Sequence, residues 1–141
     1  MMVSSASPIL LTGTTGGLGT TILHHLLHTH HLDPKSIIAT SRSPAARSKY
    51  ESQGVQFREL DFARPDTLRT ALDGVGLLLF VSSSERDTPK RNREHGNVID
   101  AAVKAGVKEV WYVSLAFGGY DSKSKVGFMQ AHLWTEESLR E

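Results

Sequence analysis

The segment Thr12-Gly13-Thr14-Thr15-Gly16-Gly17-Leu18-Gly19 constrains this chain more than any other. It follows a short apolar run, Ile9-Leu10-Leu11. It leads into Leu18–His31, where the apolar residues at 18, 22, 23, 26 and 27 share one helical face. Glycines at a strand-to-helix turn let a ligand approach the backbone, because a side chain there would stand in the way. The helix start adds free N–H groups and a partial positive charge, so the expected ligand is a diphosphate. The G-x-x-G-x-x-G spacing therefore assigns Gly13, Thr14, Thr15, Gly16, Gly17, Leu18 and Gly19 to a dinucleotide-binding turn.

The rest of the chain repeats the strand-then-helix alternation. Strand one is read at Pro8–Thr12, and Asp33-Pro34 closes the helix after it, because proline cannot continue a helix. Ser36–Thr40 and Val55–Leu60 read as strands two and three, with the polar, breaker-rich Ser41–Ser48 as a loop between them. Pro65–Leu72 is a short helix with proline in its first turn, and Val75–Val81 is the longest apolar run, as a strand covered on both faces should be. Arg91–Ala105 carries Val98, Ala101, Ala102 and Ala105 on one face and stops at Gly106. Val107–Val113 is strand five, Asp121–Lys125 is a loop, and His132–Arg140 begins a last helix. This order predicts an α/β fold: a doubly wound, parallel Rossmann-type sheet of about five strands in the order 3-2-1-4-5, with right-handed crossovers. The 141 residues fit one domain spanning 1–141.

The end of strand two decides which dinucleotide is expected. A site for NAD(H) places an acid there, about 20 residues past the glycines, to bond the ribose 2′-hydroxyl. This chain has Ala39-Thr40-Ser41-Arg42-Ser43 instead. Arg42 suits a 2′-phosphate and Ser41 and Ser43 add hydroxyl donors, so NADP(H) is expected in preference to NAD(H). Asp61 and Phe62, after strand three, suit an adenine: one supplies a hydrogen-bond acceptor and the other an apolar wall. An alternative role for them is a helix cap and a core aromatic. Ser82 and Ser83 leave strand four at the carboxyl edge of the sheet, where ligands bind in open α/β folds. They are read as contacts to ribose or diphosphate, or as a polar loop.

Composition narrows the rest. The chain has no cysteine, which excludes disulfides, thiolate nucleophiles and cysteine-bound metal centres. A net charge of +1 gives no electrostatic basis for a nucleic-acid partner. No apolar run approaches the roughly 20 residues of a membrane span, and the first residues lack the pattern of a signal peptide. A cytoplasmic location is expected, or a nuclear one for a regulatory protein. Five of the seven histidines crowd into His24–His31, but without cysteine or a clear acidic partner they read as a solvated helix face and not a metal site.

Taken together, these residues resemble the NmrA-like branch of the atypical short-chain dehydrogenases/reductases. The resemblance rests on Thr12–Gly19, the Arg42 loop, Leu60-Asp61-Phe62 and the run Asn97-x-x-Asp100-Ala101-Ala102-x-x-Ala105-Gly106-Val107. Tyr112-Val113-Ser114 and His132-x-x-x-Glu136-x-x-Leu139 extend it over essentially the whole chain. It implies NADPH-dependent reduction of a quinone or another small carbonyl acceptor, or else a redox-sensing regulator that binds the dinucleotide without turning it over. His132 stands where much of the family has lysine and some quinone-reductase-like members have histidine. Typical short-chain dehydrogenases use a Tyr-x-x-x-Lys pair, whereas Tyr120 here is followed four residues later by Ser124. His132, Ser114 and Tyr120 are therefore candidates for a catalytic role with none assigned. Family members are about twice as long, so C-terminal strands and a substrate-binding part are expected to be missing. That would leave a sheet edge open to self-association.

Overall fold

The computed structural model describes residues 6–116 and 125–141. Five parallel strands form its sheet: β1 (Ile9–Leu11), β2 (Ile37–Ser41), β3 (Gln56–Glu59), β4 (Leu77–Val81) and β5 (Glu109–Val113). Their spatial order is β3-β2-β1-β4-β5, the order expected of the Rossmann-type sheet. Leu10 of β1 aligns with Ile38 on one side and Leu78 on the other, so the central strand is the most enclosed.

Strand side chains alternate between faces, and this sorts the apolar residues into two cores. Leu10, Ile38, Leu78 and Phe80 pack on Leu68, Ala71 and Leu72 of α3 (Pro65–Ala71) and its exit, and on Val98 and Ala102 of α4 (Thr88–Ala105). Leu11, Ile37 and Ala39 point the other way. They meet Leu23 of α1 (Gly17–His28) and Tyr50 of α2 (Arg47–Glu51). Each large apolar side chain buried in this way contributes roughly 1.5–3 kcal/mol. α5 (Gly127–Arg140) packs along α4. No helix among the described residues is long and apolar enough to cross a membrane.

Several boundaries differ from those expected from sequence. α1 ends at His28, ahead of Asp33-Pro34. His31 turns left-handed with φ of 51°, and the Leu32 N–H bonds back to the Leu26 carbonyl. The reversal is complete before proline can act. α4 starts at Thr88, three residues before Arg91, because Asp87 caps it by accepting the Lys90 N–H and Pro89 occupies its first turn. α5 starts at Gly127, five residues before His132, so His132 lies well inside the helix. The loop expected over Ser41–Ser48 holds a single 3-10 turn at Pro44–Ala46 and then the start of α2. β5 forms one edge of the sheet, where Trp111 is 61% exposed.

Candidate functional site

The glycine turn is held in place by threonines. The Thr12 hydroxyl donates to the Val81 carbonyl at 3.0 Å and accepts the Val81 N–H at 2.8 Å, tying the end of β1 to β4. Thr14, fully buried, donates to the Thr40 carbonyl at 2.6 Å, and Thr40 in turn donates to Leu11 at 2.9 Å. Gly13 adopts φ of 68°, a conformation that side chains strain against. A β-carbon on Gly19 would fall 1.9 Å from the Gly13 carbonyl oxygen, so the first turn of α1 lies directly on the loop it follows.

Gly17 is the opposite case, with nothing within 4 Å of where a β-carbon would stand. Its bare side faces a cleft of about 590 Å³ at the carboxyl edge of the sheet. Gly13, Thr15, Gly16, Gly17, Leu18 and Gly19 form one wall of this cleft, and the first turn of α1 has no acidic residue to compete with an anion. The N–H groups of Gly17, Leu18 and Gly19 precede the first intrahelical bond, Thr20 to Gly16, and so have no acceptor in the helix. Free amides, a helix N-terminus and glycines without side chains suit the diphosphate of a dinucleotide. Leu18, assigned from its spacing to the packed face of the helix, is instead 51% exposed. Thr14 belongs to the turn, but its hydroxyl is committed inward to Thr40.

The other walls come from the ends of β2, β3 and β4. Arg42 and Ser43 are exposed on the cleft beside half-buried Ser41, whose hydroxyl oxygen accepts the Ser43 N–H at 3.1 Å. Arg42 makes no ion pair among the described residues. Asp61 and Phe62 also line the cleft. The Asp61 carboxylate accepts the Ala63 N–H at 2.9 Å, which leaves its second oxygen open, and the Phe62 ring stands edge-on to Phe80. Ser82 and Ser83 complete the rim, together with Ser84 and Glu94.

The chain resembles known proteins in sequence and fold. A family model described as NAD(P)H-binding matches residues 13–141. The chain belongs to this NAD(P)H-binding family. The NmrA-like family domain-containing oxidoreductase flvB of Aspergillus flavus is 47% identical over 94% of this chain and 43% of its own length. Quinone oxidoreductase 2 of Escherichia coli is 37% identical over 93% of this chain and 43% of its own. Among solved structures, the Citrobacter sp. triphenylmethane reductase complexed with NADP(H) superposes with a TM-score of 0.86. It is 35% identical over 94% of this chain and 45% of its own length. The chain thus spans less than half the length of each of these relatives.

Two of the catalytic candidates in this NAD(P)H-binding chain, Ser114 and His132, are engaged away from the glycine turn. Ser114 donates its hydroxyl to Glu136, and His132 Nδ1 meets the Tyr112 hydroxyl at 2.6 Å. Neither Ser114 nor His132 lines the cleft. Burial pushes the Tyr112 hydroxyl up to about 12, and burial followed by the charge of Arg91 lowers His132. The pair is therefore neutral, and the tyrosine is a poor acid. Tyr120 lies outside the described residues, as does most of the Asp121–Lys125 loop. In the histidine-rich segment, the His24 and His28 rings pack on each other with centroids 4.7 Å apart on exposed turns of α1.

Sequence reasoning missed a buried histidine behind the cleft. His95 of α4 is fully buried; its Nε2 accepts the Ser83 backbone N–H at 2.9 Å, and its Nδ1 meets the Thr135 hydroxyl at 2.7 Å. Burial, reinforced by Arg91 and His132, depresses it to about 3. Glu94, the neighbouring residue in sequence, accepts the Ser83 hydroxyl on the cleft side. The polar stretch Arg91–Asn97 gives no apolar rhythm that would mark His95 as a core position.

Proposed function

We propose that the chain binds NADP(H) in preference to NAD(H), and that the protein it represents passes a hydride from NADPH to a quinone or another small carbonyl acceptor. Arg42 carries the first part of this reading. It is an exposed guanidinium on the cleft rim at the end of β2, and it has no ion-pair partner among the described residues. A 2′-phosphate supplies the charge that such an arginine lacks, whereas a 2′-hydroxyl does not. Ser41 adds a donor beside it. Asp61 and Phe62 are the proposed adenine contacts, and Ser82 and Ser83 the contacts to ribose or diphosphate.

The bound dinucleotide would supply the hydride. The protein's share is orientation and exclusion of water. The acceptor class draws support from Quinone oxidoreductase 2, a relative named for that activity. A quinone also asks little of the protein as an acid, since its reduced oxygens take protons from water. This fits a chain in which Tyr112 is held well above neutrality and bonded to His132.

A second reading, a non-catalytic sensor of the NADP(H) pool acting through protein partners, is favoured by the engagement of Ser114 with Glu136 and of His132 with Tyr112. Calorimetric titration of the 141-residue chain with NADPH and NADH at one fixed salt concentration tests the cofactor reading. Tighter binding of NADPH is expected, and equal affinities would overturn it. Oxidation of NADPH with a panel of quinones separates the two functions. Turnover above background supports the reductase. Binding without turnover supports the sensor.

A further inference from the structure

Ser83 is held from three sides where the chain leaves β4. Its backbone N–H donates to His95 Nε2 at 2.9 Å, its hydroxyl donates to Glu94, and that hydroxyl oxygen accepts the Glu85 N–H at 3.0 Å. The first of these bonds fixes the chemistry of the histidine. A ring nitrogen that accepts a backbone N–H carries no proton, so the single proton of neutral His95 resides on Nδ1. Nδ1–H then donates to Thr135 Oγ1 at 2.7 Å, and the threonine hydroxyl donates to the Ala131 carbonyl at 2.8 Å. Thr135 also hydrogen-bonds the Tyr112 hydroxyl, so its side chain joins α4, α5 and β5. The path runs from the cleft rim through α4 to α5.

The packing around the ring removes its freedom to turn. Phe80 meets it at 4.9 Å between centroids with a 66° interplanar angle, and Tyr112 and Phe62 flank it at 5.9 and 6.3 Å. His95 and Thr135 are both fully buried, so water cannot replace either partner. An apolar ring would fill the same space and leave the N–H of half-buried Ser83 without its protein acceptor, which loosens the hold on that segment.

We propose that His95 is a positioning residue for the dinucleotide cleft: as the Nδ1–H tautomer it fixes the Ser82–Ser84 wall to α4 and, through Thr135, couples that wall to α5. This deepens the functional reading above and rests on it, since the wall matters only if the cleft takes the dinucleotide. His95 touches no ligand itself and acts through Ser83.

The test compares two substitutions of similar bulk. His95→Gln offers an amide oxygen near the place of Nε2, whereas His95→Phe fills the site with no acceptor. His95→Phe is expected to weaken NADPH binding about tenfold, and His95→Gln to stay within about threefold of the unmodified chain. Exchange of the Ser83 amide hydrogen is expected to accelerate in the Phe variant and stay slow in the Gln variant. Nitrogen NMR of the unmodified chain should show Nδ1 protonated and Nε2 bare.

A folded Phe variant with unchanged affinity and unchanged Ser83 protection would overturn the proposal. So would equal losses in both variants, which would reduce His95 to packing, or a proton found on Nε2. If His95→Phe fails to fold, Thr135→Val removes the Nδ1–H acceptor at nearly constant volume. It is expected to speed Ser83 exchange and loosen NADPH, and no change in either would overturn the coupling to α5. The NMR and exchange measurements need no cofactor. The expected tautomer and slow exchange in a chain that binds no dinucleotide would uphold the positioning of Ser83 and overturn the functional reading alone.

Discussion

A β-carbon placed on Gly19 would stand 1.9 Å from the carbonyl oxygen of Gly13, whereas one placed on Gly17 would touch nothing within 4 Å. The two glycines therefore answer different demands. Gly19 is required by the contact of helix with loop, and Gly17, on the proposed reading, by the dinucleotide. Gly19→Ala is expected to destabilise the chain by about 3 kcal/mol or more, since the clash is with backbone that cannot move aside. Gly17→Ala should keep its stability within about 0.5 kcal/mol while losing NADPH affinity. Urea unfolding and calorimetric titration of the two variants check this. Equal binding by Gly17→Ala and the unmodified chain would show that the bare face of Gly17 does not receive the cofactor.

Thr12 offers a sharper energetic test. Its hydroxyl both donates to and accepts from Val81, and the residue is fully buried. Thr12→Val has nearly the same shape but strands the N–H and the carbonyl of half-buried Val81. A loss of about 2 kcal/mol is expected in urea unfolding. A loss under about 0.5 kcal/mol would show that the β1–β4 junction does not depend on this side chain.

Whether a feature was legible in the sequence depended on how local its cause is. The glycine turn was legible because strand, turn and helix are contiguous and the steric demand falls within eight residues, Thr12 to Gly19. The parallel sheet followed from alternation and handedness, and the order 3-2-1-4-5 from the glycine turn after strand one, which marks the Rossmann form. The start of α4 is marked only by a cap and a first-turn proline, Asp87 and Pro89, because the apolar rhythm of the helix begins further along. α2 was not readable, since only Tyr50 among its five residues is buried and no period emerges. The His95–Thr135 contact joins residues 40 apart, and no local pattern predicts that their elements pack together.

Arg42→Ala isolates the discrimination between cofactors. Removing the guanidinium should weaken NADPH by roughly one to two orders of magnitude and NADH by much less, because only NADPH carries a phosphate there. The difference should shrink as salt rises, since Arg42 is exposed and its attraction is screened. Titrations with both cofactors at low and high salt provide the measurement. Equal losses for both would remove Arg42 from the 2′-phosphate.

The buried histidines give the fold a pH dependence whose sign follows from the structure. His95 is held at about 3 in the folded chain, by burial and then by Arg91 and His132, against an ordinary value of 6.5. Between those values the unfolded chain binds a proton that the folded chain refuses, so stability falls as pH falls. The limiting slope from His95 alone is about 1.4 kcal/mol per pH unit. His132, also lowered, acts in the same direction, although Glu136 beside it works the other way. Glu85 is lowered by backbone N–H bonds, so its contribution is lost only below the ordinary carboxylate value of 4.5. Tyr112, pushed up to about 12 by burial, costs stability only above its ordinary 10.0, as pH rises. Urea unfolding between about pH 7 and pH 5 therefore samples the histidines with little interference from the other two. The unmodified chain should lose stability steadily across that range, and His95→Gln should flatten the curve. A flat profile in the unmodified chain would mean that His95 takes up its proton in the folded state. The bond from the Ser83 N–H would then lack a bare nitrogen to receive it.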